Sequence, residues 1–79
     1  MIQKKGNEFI VKFNATFYSE SSLNKTIEEF KDFCSISIKK EGNFFIAGFS
    51  SDDIEVPLEF SNHAFALDKI ARTKNAGIN

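Results

Sequence analysis

Polar and apolar residues alternate with a period of two from Glu8 to Thr16, with Phe9, Val11 and Phe13 set against Ile10, Lys12 and Asn14. That period predicts a half-buried strand. Phe17, Tyr18 and Ser19 close it, and Ser19 is placed to cap a helix whose first turn carries Glu20, an acid at the positive end of the helix dipole. Up to about Phe33 the repeat lengthens to three or four residues. Leu23, Ile27, Phe30 and Cys34 then share one face, opposite Asn24, Lys25, Glu28, Lys31 and Asp32, which predicts an amphipathic helix with one apolar stripe. Alternation returns over 35–40, where Ile36 and Ile38 face away from Ser35, Ser37 and Lys39. Glu41-Gly42-Asn43 supplies a turn, because glycine accepts positive φ without steric cost. The next strand, 43–50, is apolar on both faces: Phe45, Ala47 and Phe49 point one way, Phe44, Ile46 and Gly48 the other. These two strands form a hairpin, and the second has the composition of a central strand.

Ser50-Ser51-Asp52-Asp53 is a polar break that opens a second helix. Asp52 or Asp53 caps it, Glu55 suits its positive end, and Pro57 is tolerated in the first turn, where its missing N–H has no partner to lose. The helix is expected to end near Arg72 or Thr73, giving a single α+β domain over 1–73 and a flexible tail over 74–79. At about 100° per residue, Val56, Phe60, Ala64, Leu67 and Ala71 gather on one face with Ile70 at its margin. Ile54, Leu58 and Phe65 lie on a second ridge, in line with Ser61 and Arg72. A helix of a small domain usually buries one stripe. The second ridge calls for another layer or a partner.

The order β-α-β-β-α leaves room for the third strand between the first two, antiparallel to both. The expected architecture is a two-layer sandwich: a three-stranded sheet of order 1-3-2 with both helices on one face. It is a ferredoxin-like split β-α-β unit lacking its last strand. The uncovered face of the sheet would carry Ile10, Phe44 and Ile46 among Lys12, Asn14, Ser35 and Ser37, an apolar patch of the kind that marks interfaces.

The chain has 79 residues, enough for one domain whose core is only marginally stable without help. Cys34 is its only cysteine, so an internal disulfide is excluded and a reducing, cytoplasmic setting is expected. The opening MIQKKGNE has no apolar run behind its lysines, so neither an export signal nor a membrane anchor is read there. Ten basic residues oppose eleven acids. The basic residues are scattered as Lys4/Lys5, Lys39/Lys40 and Lys69/Arg72/Lys74, which argues against nucleic acid unless folding joins the first two pairs. Ten of the eleven aromatic residues are Phe, and tryptophan is missing, as expected of a core filled by rings that ask for no hydrogen bond.

Candidate chemistry is sparse. His63 is the only histidine; one turn after Glu59, it offers an acid–base or metal pair that Asp68, or symmetry in a dimer, would complete. A surface ion pair or half-buried ring accounts for it more simply. Cys34, read at an electronegative helix end, has its thiol pKa raised and is not activated. Ser19, Ser21 and Ser22 have no histidine beside them and read as capping residues. The acidic knot of Asp52, Asp53 and Glu55 reads the same way. The glycines, at 6, 42, 48 and 77, are too dispersed for a phosphate loop. No cofactor or metal is therefore expected. Asn62 is a poor helix former placed mid-helix, close in direction to Glu55 and Lys69, where its amide is either solvated or reaches a partner.

The Phe17-Tyr18-Ser19 turn leading into an amphipathic helix, then a hairpin, then Glu59-Phe60-Ser61-Asn62 before an apolar helical run, resembles the small HxsD-like proteins. The likeness covers roughly residues 8–72. It implies an accessory protein of the kind encoded with radical SAM enzymes that modify a peptide in the His-Xaa-Ser system. The chain departs from that pattern in the short loop before the last helix and in its IART ending, which points to a relative outside that setting. The resemblance implies no catalytic residue. Together these features lead to a non-enzymatic binding or accessory module, cytoplasmic and homodimeric, with a protein or peptide partner. Its contacts would come from Ile54, Leu58, Asn62 and Phe65, or from Ile10, Phe44 and Ile46. The alternative is a metal-dependent or acid–base enzyme subunit using Glu59, His63 and Asp68.

Overall fold

A computed structural model describes residues 2–77, and their side chains through Ile70. The elements run β1 (Ile2–Lys5), β2 (Glu8–Asn14), α1 (Glu20–Phe30), β3 (Ile36–Glu41), β4 (Phe44–Phe49) and α2 (Glu55–Gly77). The four strands form one antiparallel sheet of order β1-β2-β4-β3. The predicted arrangement of β2, β4 and β3 holds, with β4 central because both its faces are apolar. Both helices cover one face, since Leu23 of α1 and Phe60 and Ala64 of α2 join one core with the inward residues of the sheet.

The sheet has four strands and not three. Ile2–Lys5 pairs with β2, Ile2 opposite Val11 and Lys5 opposite Glu8. With a single apolar residue in four, this strand lacks any alternation to read. Its signal lies in the turn. Gly6-Asn7 repeats the Gly42-Asn43 dipeptide, and both glycines have positive φ, +64° and +60°, at the first position of two-residue hairpin loops. A final strand returning from α2 in a ferredoxin-like fold would add beside β2, antiparallel to it. β1 occupies that position from the other end of the chain.

Alternation along β2 and β4 sends Phe9, Val11, Phe13, Phe45, Ala47 and Phe49 into the core, and Ile36 and Ile38 pack against its edge. Phe60 sits at the centre, fully buried, with its ring 5.0 Å from Phe49, 5.5 Å from Phe30 and 5.8 Å from Phe13. Leu23, Ile27 and Phe30 form the stripe of α1 as expected, and Thr26 is buried beside them because its hydroxyl donates to the Ser22 carbonyl at 2.8 Å. α1 ends at Phe30, one turn before the predicted Phe33, which is 73 % exposed. Asp53 caps α2, its Oδ1 accepting from the Glu55 N–H at 3.0 Å, and Pro57 is buried in the first turn.

α2 continues to Gly77, past the expected end near Arg72, so residues 74–77 belong to the helix; 78 and 79 lie outside the described residues. Its 23 residues span about 34 Å at 1.5 Å each. The longest strand has seven residues, roughly 23 Å. The helix therefore overhangs its sheet, and the molecule measures 48 × 27 × 16 Å. No helix among the described residues is long and apolar enough to cross a membrane.

Nothing crowds a Cβ at either turn glycine, so alanine there meets only the backbone penalty of the left-handed region. Gly6→Ala and Gly42→Ala should each lower the unfolding free energy by about 1–2 kcal/mol, read by urea titration. A neutral Gly6→Ala beside a costly Gly42→Ala would mean that the β1–β2 hairpin does not form.

Candidate functional site

The two ridges of α2 separate in the fold as their angles require. Phe60 and Ala64 are sealed in the core, whereas Ile54, Leu58 and Phe65 are 42 %, 42 % and 46 % exposed. Ser61 interrupts that outer ridge, yet its hydroxyl is turned back to donate to the Pro57 carbonyl at 2.8 Å. The polar group is thus spent on the helix itself. Phe65 meets Tyr18 at 6.0 Å, and Tyr18 in turn stands edge-on to Phe13 at 4.8 Å. An aromatic chain consequently runs from the core to the surface. Asn62 is exposed beside the ridge, and Ile70, expected at the core margin, is exposed beyond it. The ridge lies to one side of the contacts with α1: Asp68, about 60° round the helix from Phe65, meets the start of α1, and His63, about 200° round, meets its end.

The open face of the sheet is a weaker candidate. Ile10 and Ile46 are half-buried and Phe44 is exposed, with the Lys12 ammonium 5.8 Å from the Phe44 ring centroid. Gly48 leaves a shallow hollow bordered by Glu8, Ile10, Ser37 and Ile46; a Cβ there would come within 3.1 Å of the Ser37 hydroxyl. Lys12 stands opposite Ile46 in the sheet, so charge interrupts the apolar area. Strand addition along 43–50 is closed, since β4 is paired on both sides. The free edges are β1 and β3, each carrying two lysines, a device that discourages pairing.

Nor do those lysines join into a basic patch. β1 and β3 lie three strand spacings apart, roughly 14 Å. Lys4 and Lys40 each cover a core phenylalanine, 5.6 Å from the rings of Phe9 and Phe45, and Lys39 pairs with Glu41 at 2.8 Å.

The chemical candidates are dispersed. His63 presents its covered Nε2 to Glu29 of α1, not to Glu59, and its ring lies 6.1 Å from Phe30. Glu59 instead lines an open groove with Phe30, Phe33, Asp53, Glu55 and Val56. Asp68, only 5 % exposed, reaches the start of α1. Its carboxylate accepts from the Ser19 N–H at 3.0 Å and from the hydroxyls of Ser19 and Ser22, each at 2.8 Å. Negative charge at a helix N-terminus is favourable, so Asp68 clamps one helix to the other. Glu59, His63 and Asp68 thus point to three different surroundings, and no group of three potential metal ligands forms among the described residues. Ser19 caps α1 as expected, accepting from the Ser22 N–H at 3.1 Å. Cys34 lies four residues beyond the end of α1. Burial raises its pKa, against a lowering hydrogen bond from the Ser50 backbone; the expected direction is right, but its cause is not the helix end.

Sequence reasoning missed the Asp68 clamp because forty-nine residues separate Asp68 from Ser19. An acid at the helix angle between the core face and the outer ridge was the available signal.

Burial first, and the nearby Asp68 charge second, raise the pKa of Tyr18 above 10.0. Tyr18 is the only tyrosine, so phenolate absorbance reports it alone. The midpoint should lie above 10.0 and fall in Asp68→Asn while staying above the ordinary value, because burial persists. A phenol that titrates higher folded than unfolded makes stability decline as pH rises from the unfolded midpoint through the folded one. Asp68→Ala should cost about 2–4 kcal/mol in urea, since it strips a charged acceptor from three donors; a neutral result would refute the clamp. In comparisons with known proteins, no family model, curated protein or solved structure matches the chain. In this fold the residues that carry the HxsD-like resemblance have structural duties: Ser19 caps, Phe60 fills the core and Ser61 bonds its own helix.

Proposed function

We propose that this chain is a small non-catalytic contact module that self-associates through the outer ridge of α2. The observation that carries the reading is the exposure of Ile54, Leu58 and Phe65 in one line on a helix whose opposite side is already packed. Shape supports it. The accessible surface is 5420 Å² for 8.9 kDa, against about 4,800 Å² for a compact monomer of that mass. The radius of gyration is 12.9 Å, against about 11.6 Å expected for this length. Covering the ridge would remove surface that a chain of this size has little stability to spare for exposing. The pairing of His63 with Glu29 and of Asp68 with Ser19 and Ser22, away from Glu59, supports contact over catalysis. The lone Cys34 suits a reducing cytoplasmic compartment, and an accessory role beside a peptide-modifying enzyme is the form that the HxsD-like resemblance gives this reading.

Sedimentation equilibrium tests it. The weight-average mass should rise above 8.9 kDa with concentration. Phe65→Lys should weaken association by about tenfold or more, equivalent to about 1.4 kcal/mol, with an unchanged circular dichroism spectrum. A strict monomer at high micromolar concentration would overturn self-association.

A further inference from the structure

We propose that α2 pairs antiparallel with α2 of a second copy, about a two-fold axis beside Asn62. This inference rests on the contact-module reading and adds the register and the chemistry of the partner surface. Ile54, Leu58, Ser61 and Phe65 follow one another at steps of four, three and four residues. That spacing is the seam of a two-helix coiled coil. Ser61 lies near the axis, where a small side chain with its hydroxyl already bonded to Pro57 lets the backbones approach.

The flank of the seam decides orientation and partner. Glu55, Asn62 and Lys69 are exposed, seven residues apart, and form one row beside the ridge on its solvent side. The row reads acid, amide, base, and it is centred on Asn62. Turned end for end it becomes its own complement: Glu55 faces the partner's Lys69, Lys69 faces the partner's Glu55, and Asn62 meets itself. A carboxamide offers both donors and an acceptor, so two of them across a two-fold axis satisfy one another. In a parallel pair the two copies of this row would lie on opposite sides of the seam and could not meet. Neither Glu55 nor Lys69 forms a salt bridge with another described residue, leaving both open to a partner. The same register brings Leu58 beside the partner's Phe65, to within one residue's rise of about 1.5 Å. An isologous interface requires this self-complementarity, which an unrelated partner would have no reason to match. The row also accounts for a residue as unfavourable to helices as Asn62 in the middle of this one.

Charge reversal tests the register. By symmetry Glu55→Lys creates two like-charge contacts per dimer, and Lys69→Glu does the same. Each single variant should weaken association about tenfold at low salt, less at high salt. The double variant, and an equimolar mixture of the two single variants, should recover affinity to within about twofold of the original. Both positions are exposed, so circular dichroism should stay unchanged. Association abolished by Phe65→Lys but indifferent to either reversal would overturn the antiparallel register while leaving the contact module standing. A strict monomer would overturn both, and would leave the ridge to a partner other than this chain.

Discussion

Everything in this small protein is arranged around the ring of Phe60. It stands between the sheet and α1, touching Phe13 of β2, Phe49 of β4 and Phe30 of α1. Full burial of such a side chain contributes roughly 1.5–3 kcal/mol, and each edge-on or tilted ring pair about 0.5–1.5 kcal/mol more. In a domain of this size those are large shares of the total. Because one ring serves both layers, the rotation of α2 about its own axis is set by where Phe60 must point. That rotation turns Ile54, Leu58 and Phe65 outward.

The Asp68 clamp sets the remaining freedom. A buried carboxylate accepting from Ser19 and Ser22 ties the start of α1 to the second half of α2, while His63 and Glu29 join the helices at the other end of α1. With both ends of α1 held, α2 cannot roll to hide its outer ridge without exposing Phe60 or stranding Asp68 away from its donors. The ridge is consequently a product of packing, and its exposure follows from what the core demands.

Much of the fold was legible in local periodicity. The period-two stretches identified β2, β3 and β4 and their inward faces, because alternation is imposed by the strand itself. The two-sided apolarity of 43–50 marked the central strand for the same reason. β1 was not legible through alternation, since three of its four residues are exposed and only Ile2 adds an apolar side chain to the core; its hairpin turn was the sole local trace. The two ridges of α2 followed from helix angle alone, and Ile54, Leu58 and Phe65 stand where that angle put them. The ends of the helices followed less well, because the extent of α1 and α2 depends on contacts and not on capping residues alone.

By itself the sequence determined the types of β2, α1, β3, β4 and α2, their inward faces and the existence of a surplus apolar ridge, because these depend on spacing within a few residues. Tertiary structure decided what depends on residues far apart. It placed β1 on the outer edge, separated the lysine pairs to opposite sides of the sheet, gave His63 to Glu29, and drew Asp68 under the start of α1. Pairing between distant side chains leaves no periodic trace in a chain. It is settled only when packing around Phe60 brings the two helices together.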